Sequence, residues 1–306
     1  MPNAGMPKPA IFHRWIKRLL SMALFLTLGF AVACWIVGGQ LIASANRNVP
    51  APPAALGLES TRISSKSGSE LATWFANVQN SKATIVLLHP VRSNRVAMLD
   101  RAKFFLSRNY SVVMIDFQAH GESLGDHITA GYLEKHDVKA AVAFARRQIE
   151  KSGNPDQALV AVGWSLGGAS ALMASPLDVD AMILESVFPT IETAIRNRVA
   201  MRLGPLSKIV APCLLAQLPL RLGFCANDLR PIDQTSDVDC PVMFFFGDKD
   251  KHTSLEESVW LFDTTDAPKD FVIFAKANHT DLFEFDPELY QTKTVQFINN
   301  CHEKLP

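Results

Sequence analysis

Short, continuously apolar runs rich in β-branched residues recur along this chain, with helical stretches between them. Thr84-Ile85-Val86-Leu87-Leu88 and Ser111-Val112-Val113-Met114-Ile115 are two, and Ala158–Val162, Ala181–Leu184, Val242–Phe246 and Phe271–Phe274 are four more. A strand with one wet face alternates polar and apolar residues, whereas a run that is apolar throughout is buried on both faces. The stretches 96–107, 132–151 and 166–174 read as helices; in the second, Val138, Val142, Ala145 and Ile149 share one helical face. This order predicts an α/β fold with a mostly parallel sheet and helices on both faces. Glu59–Ile63 and Leu71–Val78 are expected to lead the sheet as an antiparallel pair, and Pro287–Lys304 to close the chain as a helix.

The 306 residues suffice for one large α/β domain or two small ones. Lys and Arg total 30 and balance 30 Asp and Glu, with no basic stripe, so nothing points to nucleic acid. The N-terminal region differs from the rest. Leu19–Ala45 carries no charge, and at ~1.5 Å per residue it is long enough to cross a hydrocarbon core of ~30 Å. Lys8, Arg14, Lys17 and Arg18 precede it, and the next basic residue is Arg47. The positive-inside rule then keeps residues 1–18 in the cytoplasm, makes 19–45 a transmembrane anchor, and sends the rest to the periplasmic or extracellular side. The rival is secretion after cleavage at Ala43-Ser44-Ala45, but the Leu19–Val37 core exceeds the usual ~7–15 residues of a signal peptide. Residues 46–57 contain three prolines among small residues and read as a linker to a folded domain over 58–306.

Gly163-Trp164-Ser165-Leu166-Gly167-Gly168 lies where a buried strand meets a helix. Gly-x-Ser-x-Gly in that setting is a nucleophile elbow: a strained turn lifts the serine hydroxyl clear of the backbone, and the glycines leave room for the neighbouring strand and helix. The helix behind Ser165 aims free N–H groups at the place where an oxyanion would form, and Leu166 supplies the first of them. Pro189–Asp239 breaks the alternation with five prolines and helical pieces at Ile191–Arg202 and Leu206–Gln217. An insertion of that length between sheet strands suits a lid, about 189–239, over the sheet's carboxyl edge, where α/β sheets bind ligands.

Of the five cysteines, Cys34 falls in the apolar segment. Cys213, Cys225, Cys240 and Cys301 allow three pairings in an oxidising compartment; a Cys213–Cys225 bridge is the first expectation, beside free thiols. No pair has zinc-ligand spacing, and neither a metal nor an organic cofactor is implied.

With these features the stretch from about Leu58 to Lys304 resembles the α/β-hydrolase fold, and Asp228-Leu229-Arg230-Pro231-Ile232-Asp233 before Cys240-Pro241 resembles, more narrowly, bacterial esterase-like serine hydrolases. That family orders its triad Ser, Asp/Glu, His along the chain. Asp250, in Gly247-Asp248-Lys249-Asp250, matches the family acid after a strand, with Asp248 and then Glu185 as alternatives. His279, in Asn278-His279-Thr280, falls between the last strand and the last helix, where the family places its base; His252, His120 and His302 fit less well. The second oxyanion donor would by analogy be Val91, in His89-Pro90-Val91, where Pro90 replaces the family's glycine. Asp116-Phe117-Gln118-Ala119-His120-Gly121-Glu122-Ser123 resembles a supporting loop of the family, with Ala119 in place of a glycine. The resemblance implies a serine hydrolase acting on a small-molecule ester or acyl substrate, most simply a carboxylic ester. A thioesterase or an amidase/peptidase would use the same residues, and a silent copy of the fold would only bind a ligand.

Overall fold

The computed structural model describes residues 9–302. Lys8 with the rest of 1–8, and the tail of the expected final helix beyond residue 302, lie outside the described residues. Helix α1 (Pro9–Ile42) takes up the uncharged N-terminal run. From His13 through Ala33 it is exposed, and Cys34 is buried.

Eight strands follow: β1 (Glu59–Ser64), β2 (Glu70–Ala76), β3 (Ala83–Leu88), β4 (Ser111–Ile115), β5 (Ala158–Trp164), β6 (Ala181–Glu185), β7 (Val242–Gly247) and β8 (Lys269–Phe274). They form one sheet in the order β8-β7-β6-β5-β3-β4-β2-β1. β1 pairs antiparallel with β2, and β2 with β4; every other pairing is parallel. This is the mostly parallel sheet with a leading antiparallel pair expected from the apolar runs.

The runs are apolar at every position because both faces of the sheet are covered. Val86, Leu88, Leu159, Ala161, Met182, Leu184, Phe244 and Phe246 point to one core, with α3 (Glu134–Lys151), α4 (Leu166–Met173) and α8 (Leu255–Asp263). The alternate residues Ile85, Leu87, Val160, Val162, Ala181, Ile183, Met243 and Phe245 point to the other, with α2 (Leu99–Ser107) and α10 (Pro287–His302). Side chains alternate across a strand, so a single apolar run builds two cores.

Among the boundaries that move from their expected places, three do so for a clear local reason. β8 begins at Lys269, not Phe271, because it is an edge strand where charged residues are tolerated. Val96–Met98 belongs to a 3-10 turn before α2; the Asn94 side chain accepts the Val96 N–H (3.0 Å), and Asp116 Oδ1 accepts the Arg95 N–H (2.7 Å). α3 starts at Glu134, after a turn that its own buried carboxylate closes by accepting the N–H groups of Thr129 (2.9 Å) and Gly131 (2.8 Å).

The insertion between β6 and β7 carries α5 (Ile191–Leu203), α6 (Ser207–Leu215) and α7 (Leu218–Leu222), then two 3-10 turns. Thr190 caps α5 by accepting the Thr193 N–H (3.2 Å). The expected Cys213–Cys225 bridge is absent: both are unbridged thiols. Cys213 sits in α6 and Cys225 beyond α7, so a whole helix separates two residues that are close in sequence. After α1 the chain does not swing free. Ala45 and Asn46 pair in parallel with His120 and Gly121, and Asn46 Nδ2 donates to the Ser123 carbonyl (2.5 Å).

Candidate active site

The strand order reverses direction after β3: β4 lies on one side of it and β5 on the other. At such a switch point the loops leaving adjacent strands diverge and open a crevice at the carboxyl edge. Ser165 follows β5 there, and the loop 89–95 follows β3. Asp250 follows β7 and His279 follows β8, so four separate loops deliver the expected residues to one edge.

Ser165 adopts φ 52° and ψ −107°, a conformation that side chains rarely take and that costs on the order of 1–3 kcal/mol. The surroundings hold it there. Its N–H donates to the Glu185 carbonyl (2.8 Å), and its own carbonyl accepts the Ala169 N–H (2.9 Å). The flanking glycines are needed for space: a Cβ on Gly163 would lie 2.5 Å from the Gly168 nitrogen, and one on Gly167 would strike the Leu88 carbonyl. Leu166 opens α4, whose first N–H groups have no partner inside the helix.

His279 Nδ1 lies 2.7 Å from Asp250 Oδ2. A carboxylate only accepts, so Nδ1 carries the proton and Nε2 is left as a lone pair. Asp250 is buried, and its Oδ1 accepts the N–H groups of His252 (2.7 Å) and Thr253 (3.0 Å), which fixes the plane of the carboxylate. The other two acid candidates are engaged elsewhere. Asp248 Oδ1 accepts the Lys276 N–H (2.5 Å) and so braces the loop that carries His279. Glu185 is fully buried and forks onto Arg101.

Among the alternative histidines, His120 is buried with Nδ1 2.9 Å from the Gln118 carbonyl, and His302 ends α10. His252 stacks on His279, rings 4.6 Å apart and 10° from parallel. Burial, then the positive fields of His279 and Arg198, push the His252 imidazole down to about 4, against the opposing pull of Asp250. The unfolded chain therefore takes up this proton first, and the stability His252 contributes above pH 6.5 is lost as pH falls from 6.5 through 4. His252→Phe keeps a stacked ring without the titration. Its melting temperature should fall less than that of the parent between about pH 7 and about pH 4.5, as read by circular dichroism; equal falls would refute this.

The loop after β3 is tightly built. His89 Nε2 accepts the Phe117 N–H (3.0 Å), so Nδ1 carries the proton and donates to the Pro90 carbonyl (2.8 Å). Burial pushes this imidazole well below its ordinary range and keeps it neutral. The Ser93 N–H also donates to the Pro90 carbonyl (3.3 Å). In a trans peptide the Val91 N–H points opposite to that carbonyl, away from both donors. The Arg95 guanidinium pairs with Asp116 and with Glu122 (2.5 Å) and lies 4.4 Å over the Trp74 ring, tying the loop to the one after β4. Ala119 in that second loop has φ 57°, the left-handed region in which a glycine is the usual residue.

One cluster has no sequence signal. Arg101 is fully buried and contacts Glu185, Asp281 and Tyr290, which lie 84, 180 and 189 residues away. Asp281 is two residues from His279, and the carbonyl of Glu185 holds Ser165. No local pattern could have joined them.

A cavity of about 370 Å³ opens elsewhere, between Ser67–Ser69, Gln118, Tyr132 and α7. None of Ser165, Asp250 or His279 lines it; Ser165, 1% exposed, and Asp250 are buried, while His279 is partly exposed. Among the described residues, no three His, Cys, Asp or Glu side chains converge to hold a metal ion.

Comparison with known proteins bears on the whole arrangement. The chain is 27% identical over 250 residues to the uncharacterized protein YfhR of Escherichia coli K12, covering 78% of this chain and 80% of that one. It is 22% identical over 246 residues to the uncharacterized protein YqkD of Bacillus subtilis, covering 79% of each. Among solved structures, the Pyrococcus furiosus esterase Pf2001 superposes with a TM-score of 0.67 at 18% identity, covering 84% of this chain and 98% of that one. The Exiguobacterium antarcticum esterase EaEST superposes with a TM-score of 0.55 at 15% identity, covering 79% and 100%. A family model described as the alpha/beta hydrolase family matches residues 85–290, from β3 into α10, and the chain belongs to that family.

Proposed function

We propose that this chain is a membrane-anchored serine hydrolase that cleaves carboxylic esters through Ser165, His279 and Asp250. The observation that carries the reading is the 2.7 Å contact between His279 Nδ1 and Asp250 Oδ2 on the same sheet edge as the strained Ser165. That contact leaves His279 Nε2 free to act as the base. Ser165 Oγ attacks the ester carbonyl carbon while Nε2 takes its proton, and the carbonyl π electrons move to oxygen. The oxyanion is met by the N–H of Leu166 and, by analogy with the family, that of Val91. The tetrahedral intermediate collapses, the C–O bond to the alcohol breaks, and His279 Nε2–H protonates the departing oxygen. Water then attacks the acyl-enzyme by the same route, releasing the acid and restoring Ser165. Asp250 stays ionised throughout and stabilises the imidazolium.

The ester assignment draws support from the esterases among the superposable structures. With Ser165 1% exposed, a substrate reaches the hydroxyl only when something over it moves. The insertion at 189–239 is read as the lid that does so.

The anchor reading rests on α1, long and apolar enough to span a bilayer. Against cleavage at Ala43-Ser44-Ala45 stands the way this segment is held: Ala45 N–H donates to the Ala119 carbonyl (2.7 Å), and the Ile42 carbonyl accepts the Ile128 N–H (2.8 Å). The hydrolase domain would then lie outside the cytoplasm.

The test is labelling of the full-length protein in detergent with a fluorophosphonate probe, followed by a p-nitrophenyl ester series of increasing chain length. Labelling of the parent and none of Ser165→Ala is the expected result. Ester turnover without labelling, or labelling undiminished in the variant, would overturn the assignment of the nucleophile. Labelling without turnover of any ester would leave the nucleophile standing and replace the ester by a thioester or amide.

A further inference from the structure

We infer that the tip of the β6–β7 insertion is a second membrane contact, seated in the bilayer leaflet from which α1 emerges. This rests on the reading of α1 as a membrane anchor.

Trp15 and Trp35 are both exposed on α1 and lie twenty residues apart, ~30 Å along the helix. Aromatic side chains gather at the two membrane–water interfaces, and this spacing matches the hydrocarbon thickness. Trp35 therefore marks the level at which α1 leaves the bilayer. The insertion is fastened at that level. Gln217 Nε2 donates to the carbonyls of Cys34 (2.9 Å) and Cys213 (3.0 Å), bridging α1 to α6. Gly38 has no side chain, and a Cβ there would collide with the Gln217 amide. The Arg221 guanidinium lies 3.7 Å over the Trp35 ring and donates to the Trp35 carbonyl (2.5 Å). If α1 spans the bilayer, α6 and α7 lie at its surface.

The composition of the insertion fits that place. No acidic residue occurs between Glu192 and Asp228, while Arg196, Arg198, Arg202, Lys208 and Arg221 do. Leu203, Leu206, Ile209 and Leu220 are 47%, 56%, 59% and 79% exposed, as large an apolar display as the soluble part of the chain offers. Leaving these side chains in water is unfavourable, and an apolar surface interleaved with the exposed cations Arg202 and Lys208 matches acyl chains below anionic headgroups. A protein partner would not explain why the apolar tip stands beside the exit level of α1.

Nitroxide labels on single cysteines test this in the full chain, reconstituted in mixed phosphatidylcholine–phosphatidylglycerol vesicles with all five native cysteines replaced, Cys213, Cys225 and Cys301 by serine and the buried Cys34 and Cys240 by alanine. Labels at Leu206→Cys and Ile209→Cys should collide several-fold less with an aqueous nickel chelate than one at Lys151→Cys, and more with oxygen. Leu28→Cys, in the middle of α1, reports on the anchor itself. Protection at Leu28 with chelate access at 206 and 209 equal to that at 151 would overturn the lid contact and leave the anchor standing. Chelate access at Leu28 would overturn both. Protection at 206 and 209 accompanied by spin–spin broadening would mean that a second copy covers the tip, which also overturns the inference. Two labelled positions guard against one variant failing to fold.

Discussion

Asp250→Asn and Ser165→Ala should each lower kcat/KM for ester hydrolysis by on the order of 10⁴-fold or more, about 5 kcal/mol of transition-state stabilisation, while circular dichroism and melting temperature stay close to those of the parent. For Ser165 the reason is direct, since no other hydroxyl stands on the elbow. For Asp250 the reason lies in the tautomer. The carboxylate accepts from His279 Nδ1–H, and its other oxygen is held by the N–H groups of His252 and Thr253. Those two donors fix the asparagine carbonyl oxygen at their side, so the amide nitrogen must face His279. Nδ1 then becomes the acceptor, Nε2 carries the proton, and the imidazole can no longer take one from Ser165. Asp248→Asn is the control. It weakens the brace on the Lys276 N–H and a 3.8 Å surface pair with Lys249 but touches neither His279 nor Ser165, so its effect on kcat should be far smaller. A loss with Asp248→Asn equal to that with Asp250→Asn would exclude Asp250 as the orienting acid.

The sheet was readable from sequence because both its faces are buried, which removes the polar interruptions that make other strands ambiguous. The elbow was readable for a different reason: its motif is contiguous in sequence, although Gly163 answers a contact within the elbow, at Gly168, while Gly167 makes room for Leu88 of the neighbouring strand. The position of Asp250 was legible only through the family's spacing; among Asp248, Asp250 and Glu185, it is the loop geometry that brings one of them to His279. The ends of helices were misjudged where a tertiary contact overrode the local pattern, as when the Glu134 carboxylate closes its own turn. Cys213 and Cys225 are close in sequence but stay unbridged thiols, because α7 lies between them. The packing of α1 on the insertion, and the Arg101 cluster, join segments far apart in the chain and leave no local trace.

That cluster carries the largest stability effect to be expected in the domain. Arg101 presents two forks: Nε and Nη2 donate to Glu185 (3.0 and 2.6 Å), and Nη1 and Nη2 to Asp281 (2.9 and 2.7 Å). Burial works against the charged guanidinium, but the fields of Glu185 and Tyr290 and the hydrogen bonds to Asp281 and Glu185 outweigh it and raise its pKa well above the ordinary arginine value. Tyr290 donates its hydroxyl to Glu185 (2.5 Å), and Asp281 also accepts the Phe283 N–H (2.9 Å) at the start of α9 (Leu282–Phe285). Arg101→Met fills much of the volume but strands Glu185, fully buried, without a counter-charge. Breaking one partner of such a pair costs about 3–5 kcal/mol. In a domain of this size that lowers the melting temperature by on the order of 10 °C. Arg101→Lys keeps the charge but cannot fork onto two carboxylates, so it should fall between parent and Met. Adding Glu185→Gln to Arg101→Met removes the stranded charge and should recover part of the loss. If Arg101→Met melted within a degree or two of the parent, the buried charges would not be stabilising the fold. If the double variant melted below the single one, the loss would come from packing and not from the unpaired carboxylate.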